Sequence, residues 1–135
     1  EGLTVEGIMS DVAAFKPNVV GLTAMTVMIS ASAQIAKAIK EFDSSIITIL
    51  GGVHVTAEPI ETLRRYKSFD YAVIGEGEVV FTEFLEALSK ERSLDNTLSL
   101  VWKQGDQINV NPRRAFFKSL DEFPPPAFDL VPNLT

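Results

Sequence analysis

Cysteine is absent from this 135-residue chain, which excludes a disulfide, a thiolate metal site and a cysteine-held iron–sulfur cluster on these residues. Histidine is almost absent too. His54 is the only one, and a single imidazole cannot build a protein metal centre. Basic residues are scarce: 12 lysines and arginines stand against 18 acids, for a net charge of −6. The basic pairs Arg64-Arg65 and Arg113-Arg114 are too small to displace the counterions of a nucleic acid, so no such partner is predicted. No apolar stretch nears the roughly 20 residues that cross a bilayer, and no secretory signal pattern is present. The cytoplasm is the compartment this reading predicts.

Several chemical signatures are missing as well. There is no Gly-x-x-x-x-Gly-Lys-Ser/Thr phosphate loop, and Gly75-Glu76-Gly77 is only a fragment of the dinucleotide-binding Gly-x-Gly-x-x-Gly. No Gly-x-Ser-x-Gly elbow would let a serine work with His54. Hydrolysis by this chain alone is not predicted.

What remains is a globular composition, 46% hydrophobic and 22% charged, with enough residues to bury one core. Apolar runs at Val19 to Leu22, Ile46 to Leu50 and Tyr71 to Ile74 are each followed by a helical pattern, which predicts strand–helix units and a parallel sheet. Ala31, Ile35, Ala38, Ile39 and Phe42 mark the first of these helices. Pro59 opens a short second helix to Tyr66 with Ile60 and Leu63 apolar. Phe81, Phe84, Leu85 and Leu88 make an amphipathic stripe on a third, from Val79 to Lys90. A helix from Thr4 to Phe15, with Val5, Ile8, Met9, Val12 and Phe15 at helical spacing, precedes the first strand. Units of this class start with a strand, so the pattern predicts further strands upstream of Glu1, and a sheet edge left open without them that would pair two copies.

Past residue 93 the pattern alternates. Leu98 to Trp102, a Lys103-Gln104-Gly105-Asp106 turn and Gln107 to Val110 predict a hairpin joined to the sheet or lying beside it. Pro124-Pro125-Pro126 forces an extended run of linker type. The division predicted is an α/β domain over 1–93, incomplete on its amino-terminal side, a β-hairpin over 94–112 and a proline-rich linker over 113–135.

All three apolar runs end in candidate loops: Thr23-Ala24-Met25-Thr26, Gly51-Gly52-Val53-His54 and Gly75-Glu76-Gly77-Glu78. Open parallel sheets bind ligands beyond the carboxyl ends of their strands, and glycine there lets backbone touch a large ligand. His54 suits a polar contact to that ligand, a loop-capping role or an axial position on a cofactor metal. Glu76 and Glu78 suit recognition of a hydroxyl or amide better than acid–base work, and Glu78 also falls where a first-turn acid favours the helix dipole. Thr23 and Thr26 are placed to cap the next helix or to bond a ligand. Met25 and Met28 read as pocket wall or core.

Taken together, Val19-Val20-Gly21-Leu22-Thr23, Ile49-Leu50-Gly51-Gly52-Val53-His54-Val55-Thr56 and Asp70-Tyr71-Ala72-Val73-Ile74-Gly75-Glu76-Gly77-Glu78 resemble the cobalamin-binding domain of radical S-adenosylmethionine enzymes. The subgroup they resemble includes the anaerobic magnesium-protoporphyrin monomethyl ester oxidative cyclase. Leu120-Asp121-Glu122-Phe123-Pro124-Pro125-Pro126-Ala127-Phe128-Asp129-Leu130 is similar to the stretch that leads into the radical barrel there. The resemblance implies a Rossmann-like (flavodoxin-like) parallel sheet with flanking helices, holding a corrinoid with its nucleotide tail between sheet and helices. By position Thr23 and Met25 are similar to the Ser-x-Leu pair, and Gly51-Gly52 to the Gly-Gly pair, that line the tail pocket. Cofactor contacts are thus expected at Thr23, Met25, Gly51, Gly52, His54, Gly75, Glu76, Gly77 and Glu78, with no catalytic residue and no protein metal ligand.

The Asp-x-His-x-x-Gly motif that supplies a lower axial histidine in many cobalamin domains is absent, as is Cys-x-x-x-Cys-x-x-Cys. S-adenosylmethionine and an iron–sulfur cluster would therefore belong to a radical domain downstream of Thr135, and this chain alone would not turn over. Two other readings stay open: an interaction or regulatory domain of the same fold that binds no corrinoid, which a polar or filled crevice would favour, and a nucleotide or sugar-nucleotide binder.

Overall fold

A computed structural model describes residues 4–115, 121 and 123–128. Five strands form one sheet in chain order: β1 (Val19–Thr23), β2 (Ile47–Gly51), β3 (Tyr71–Val73), β4 (Leu100–Gln104) and β5 (Gln107–Val110). The first three are parallel, with Gly21 opposite Ile49 and Ile49 opposite Tyr71. The last two run antiparallel, Val73 pairing with Leu100 and Val101 with Val110. The hairpin is thus part of the sheet. Its turn is tighter than the sequence suggests, since pairing continues to Gln104 opposite Gln107 and leaves only Gly105 and Asp106 to turn.

Helices α1 (Val5–Phe15), α2 (Ile29–Phe42), α3 (Val53–Ala57), α4 (Pro59–Arg65) and α5 (Glu78–Ser89) fill the connections. Alternation along each strand sorts the side chains into two layers. Leu22, Leu50, Ala72, Ile74 and Val101 pack with Ile29, Ala33 and Ala36 of α2, Val55 of α3 and Leu63 of α4. On the other face Ile49, Val73 and Leu100 pack with Val80 and Phe84 of α5. Helix α1 lies outside α2, where Val12 meets Ile39 and Ile46.

Which stripe of a helix is buried differs from the expected one. Helix α2 buries Ile29, Ser32, Ala33, Ala36 and Ile39, while Phe42 is exposed. Small residues let it lie close on the sheet, and that close approach selects the face. Helix α5 buries Val80, Phe84 and Ala87, leaving Phe81 and Leu85 partly exposed. Phe15 and Ile60 are also exposed. Among the described residues no strand pairs with the outer side of β1. The linker expected over 113–135 lies partly outside the described residues, as do Leu120, Glu122, Asp129 and Leu130 of the tail.

At the amino-terminal end of the sheet, Asp70 does the work of a strand. Its carboxylate accepts the Thr48 N–H at 2.8 Å and pairs with Lys40 Nζ at 2.5 Å, which also donates to Ile46 O at 2.6 Å. Thr48 is fully buried, so Asp70→Ala would strand its amide and is expected to cost about 2 kcal/mol, read from urea unfolding. A change below about 0.5 kcal/mol would show the network to be dispensable.

Candidate functional site

The three parallel strands deliver their carboxyl ends to one edge of the sheet, and a trough of about 350 Å³ opens there. Gly21 and Ile49 form its floor, Leu22, Gly51 and Gly52 one end, and Val73, Gly75, Gly77, Glu78 and Phe81 the other. The trough exists because α5 covers the β2, β3 and β4 part of its face and stops short of the end of β1: Ile49 is buried, but Gly21 and Thr23 are exposed. A Cβ at Gly21 or at Gly75 would meet no atom within 4 Å. The crevice is apolar and open, and among the described residues Glu78 is the only ionisable one that lines it.

Gly52 is different. It takes φ +99°, and a Cβ there would lie 2.7 Å from Ala24 O and 2.8 Å from Thr23 Oγ1. The strand ends press together at this point: Ala24 N–H donates to Gly51 O at 3.1 Å, and His54 N–H donates to Ala24 O at 3.2 Å. Glycine is needed at 52 for the fold itself.

The expected loop at 51–54 is shorter than its sequence suggests, because Gly51 ends β2 and Val53 and His54 already belong to α3. His54 is half-buried, with Nδ1 3.3 Å from Thr26 Oγ1, and it stands outside the trough lining. Neither Thr23 nor Thr26 caps α2, which starts after Met28 with no side-chain cap. A 3-10 turn, Thr26–Met28, intervenes, so Thr26 is spent in that turn, and Ser32 Oγ donates to Thr23 O at 3.2 Å. Met25 and Met28 belong neither to the core nor to the trough lining and are about half exposed, and Val27 at 88% and Val53 at 66% are largely so. Glu78 does occupy the first turn of α5, where the helix dipole favours an acid. Glu76 faces a second concavity of about 800 Å³ between α5 and Phe123 to Ala127.

The structure thus gathers Gly51, Gly52, Gly75, Gly77 and Glu78 in one trough and sets Thr23, Met25, His54 and Glu76 apart from its lining. Sequence reasoning missed Gly21, Leu22, Ile49, Val73 and Phe81. The available signal was Gly21, a glycine inside an otherwise apolar run, which in a strand marks a close approach. Among the described residues no cluster of three or more histidines or acids could hold a metal ion, and no helix is long and apolar enough to cross a membrane.

A parallel α/β sheet with an apolar, glycine-lined trough at its carboxyl ends defines a class of domain that accommodates a large ligand at that edge. The chain belongs to the B12-binding domain family, whose model matches residues 2–85, and its cofactor is cobalamin. The trough fits that assignment: backbone-lined and apolar, it can take a flat or bulky part of a ligand much larger than itself.

An uncharacterised methyltransferase of Pyrococcus horikoshii is 36% identical over 132 residues, covering 98% of this chain and 29% of its own. The anaerobic magnesium-protoporphyrin IX monomethyl ester cyclase of Rubrivivax gelatinosus is 31% identical over 90 residues, covering 67% of this chain and 16% of its own. The chain therefore spans less than a third of either relative. Among solved structures, the radical S-adenosylmethionine methyltransferase TsrM of Kitasatospora setae superposes with a TM-score of 0.71 at 18% identity, over 80% of this chain and 21% of its own. The cobalamin-dependent S-adenosylmethionine radical enzyme OxsB, with aqua-cobalamin bound, superposes with a TM-score of 0.74 at 21% identity, over 85% and 16%. These likenesses concern the fold.

Proposed function

We propose that this chain is the cobalamin-binding module of a radical S-adenosylmethionine enzyme. The observation that carries the reading is the trough itself, where Gly21 and Gly75 leave space that no atom of the described residues fills. In this reading Gly21, Gly51, Gly75 and Gly77 admit the cofactor against backbone, and Ile49, Val73 and Phe81 exclude water from it. Glu78 within the trough, and Thr23, Met25, His54 and Glu76 outside its lining, contact the parts of the cofactor that extend beyond it. Bound cobalamin supplies the organometallic chemistry that amino acids lack, while the protein orients it.

The module extends over 1–93, the hairpin over 94–112, and 113–135 leads to a radical domain that carries S-adenosylmethionine and the iron–sulfur cluster. The unpaired side of β1 receives further strands in the whole protein, or a second copy in their absence. The cytoplasm is its compartment. The likeness to the cyclase supports a parent acting in tetrapyrrole metabolism, and the likeness to the Pyrococcus protein supports methyl transfer. An interaction domain without corrinoid is disfavoured by the open, apolar crevice.

Hydroxocobalamin titrated into this chain, and into a version extended on its amino-terminal side, is expected to give a saturable absorbance change, stronger in the extended form. Absence of binding by both would sink the cofactor role.

A further inference from the structure

Resting on the cobalamin reading above, we infer that Thr56 is the positioning residue that sets the spacing of the two glycine loops for the cofactor. Its hydroxyl donates to Gly52 O at 2.9 Å and accepts the Gly75 N–H at 3.0 Å. One oxygen therefore joins Gly52 after β2 to Gly75 after β3, two glycines that both line the trough, while Thr56 itself stands outside that lining. Only a hydroxyl can donate and accept at once in so small a space. Because its proton is committed to Gly52, its lone pair faces Gly75, which fixes the peptide that enters the second loop. The Gly75 N–H is turned to protein and not to ligand.

Thr56 is itself held from the far end of the chain. Arg113 Nη2 donates to Thr56 O at 3.1 Å. The next residue reaches α5: the Arg114 guanidinium donates to Glu83 at 2.6 Å, and the Arg114 backbone N–H donates to Ser99 Oγ at 2.8 Å. Ser99 O in turn accepts the Ile74 N–H at 2.9 Å, one residue before Gly75. The strand-like segment after β5 thus straps α3, the end of β3 and α5 into one frame around the crevice.

The test compares hydroxocobalamin affinity, by absorbance titration, for the wild-type 135-residue chain and for Thr56→Val, Thr56→Ser and Arg113→Met, with Gly75 amide exchange measured in each ligand-free chain. Thr56→Val is expected to weaken binding about tenfold, the worth of about one hydrogen bond, and to speed Gly75 exchange. Thr56→Ser is expected to restore both. Wild-type affinity in Thr56→Val overturns the role of Thr56 and leaves the cobalamin reading intact, whereas failure of both the wild type and its amino-terminally extended version to bind overturns both. Should Thr56→Val not fold, Arg113→Met decides: several-fold weaker binding supports the frame, and unchanged affinity refutes it.

Discussion

Gly52→Val is expected to destabilise the domain by about 3 kcal/mol or more, a large fraction of the roughly 5–15 kcal/mol that holds a typical domain folded. Two costs combine. At φ +99° a β-branched side chain is strained wherever it points. The added Cβ would also fall 2.7 Å from Ala24 O and 3.0 Å from Ala24 N, and these are backbone atoms that cannot rotate aside. Ala24 cannot retreat either, since its N–H is bonded to Gly51 O and its carbonyl receives the His54 N–H. The measurement is the urea midpoint followed by circular dichroism. A midpoint within error of the wild type would mean that the strand ends are not packed as described. Any loss of cobalamin binding in this variant would follow from the fold and would say little about the crevice.

Gly21→Leu should do the opposite. A Cβ at 21 meets nothing within 4 Å, and a strand glycine replaced by a larger residue gains rather than loses backbone stability, by roughly 0.5–1 kcal/mol. The leucine side chain would instead occupy the trough above Ile49 and beside Phe81. Affinity for hydroxocobalamin is expected to fall about 100-fold, equivalent to about 2.7 kcal/mol, while the urea midpoint holds or rises. Binding at wild-type affinity by a folded Gly21→Leu would place the cofactor elsewhere and refute the trough as its site. The two glycines thus separate a requirement of the protein from a requirement of its ligand.

Much of the architecture was legible because Val19 to Leu22, Ile46 to Leu50 and Tyr71 to Ile74 are apolar on both faces, as strands covered by helices must be. The hairpin was legible from its alternation. Helix α3 was not, since the five residues Val53–Ala57 span too few turns to show a period. The buried stripe of α2 was misjudged because Ala31, Ala33, Ala36 and Ala38 support either of two faces, and only contact with the sheet chooses between them. The glycine loops could be read as a site from their place after strands. Gly21 left a signal as a glycine inside an apolar run, but that it shares a trough with Phe81 depends on the register that sets Gly21 opposite Ile49 and on how far α5 extends over the sheet. Thr56 escaped for a similar reason: its role is a bridge between residues far apart in sequence.

The two ends of the sheet carry different burdens. At the amino-terminal end Asp70, Thr48 and Lys40 interlock around buried strand backbone. At the carboxyl end, Gly21 and Gly75 border open space. Inheritance can therefore act on the two ends separately. Substitutions around the trough can reshape what is held, while the opposite rim keeps the scaffold assembled, so one ancestral frame can diversify in its chemistry without first becoming fragile.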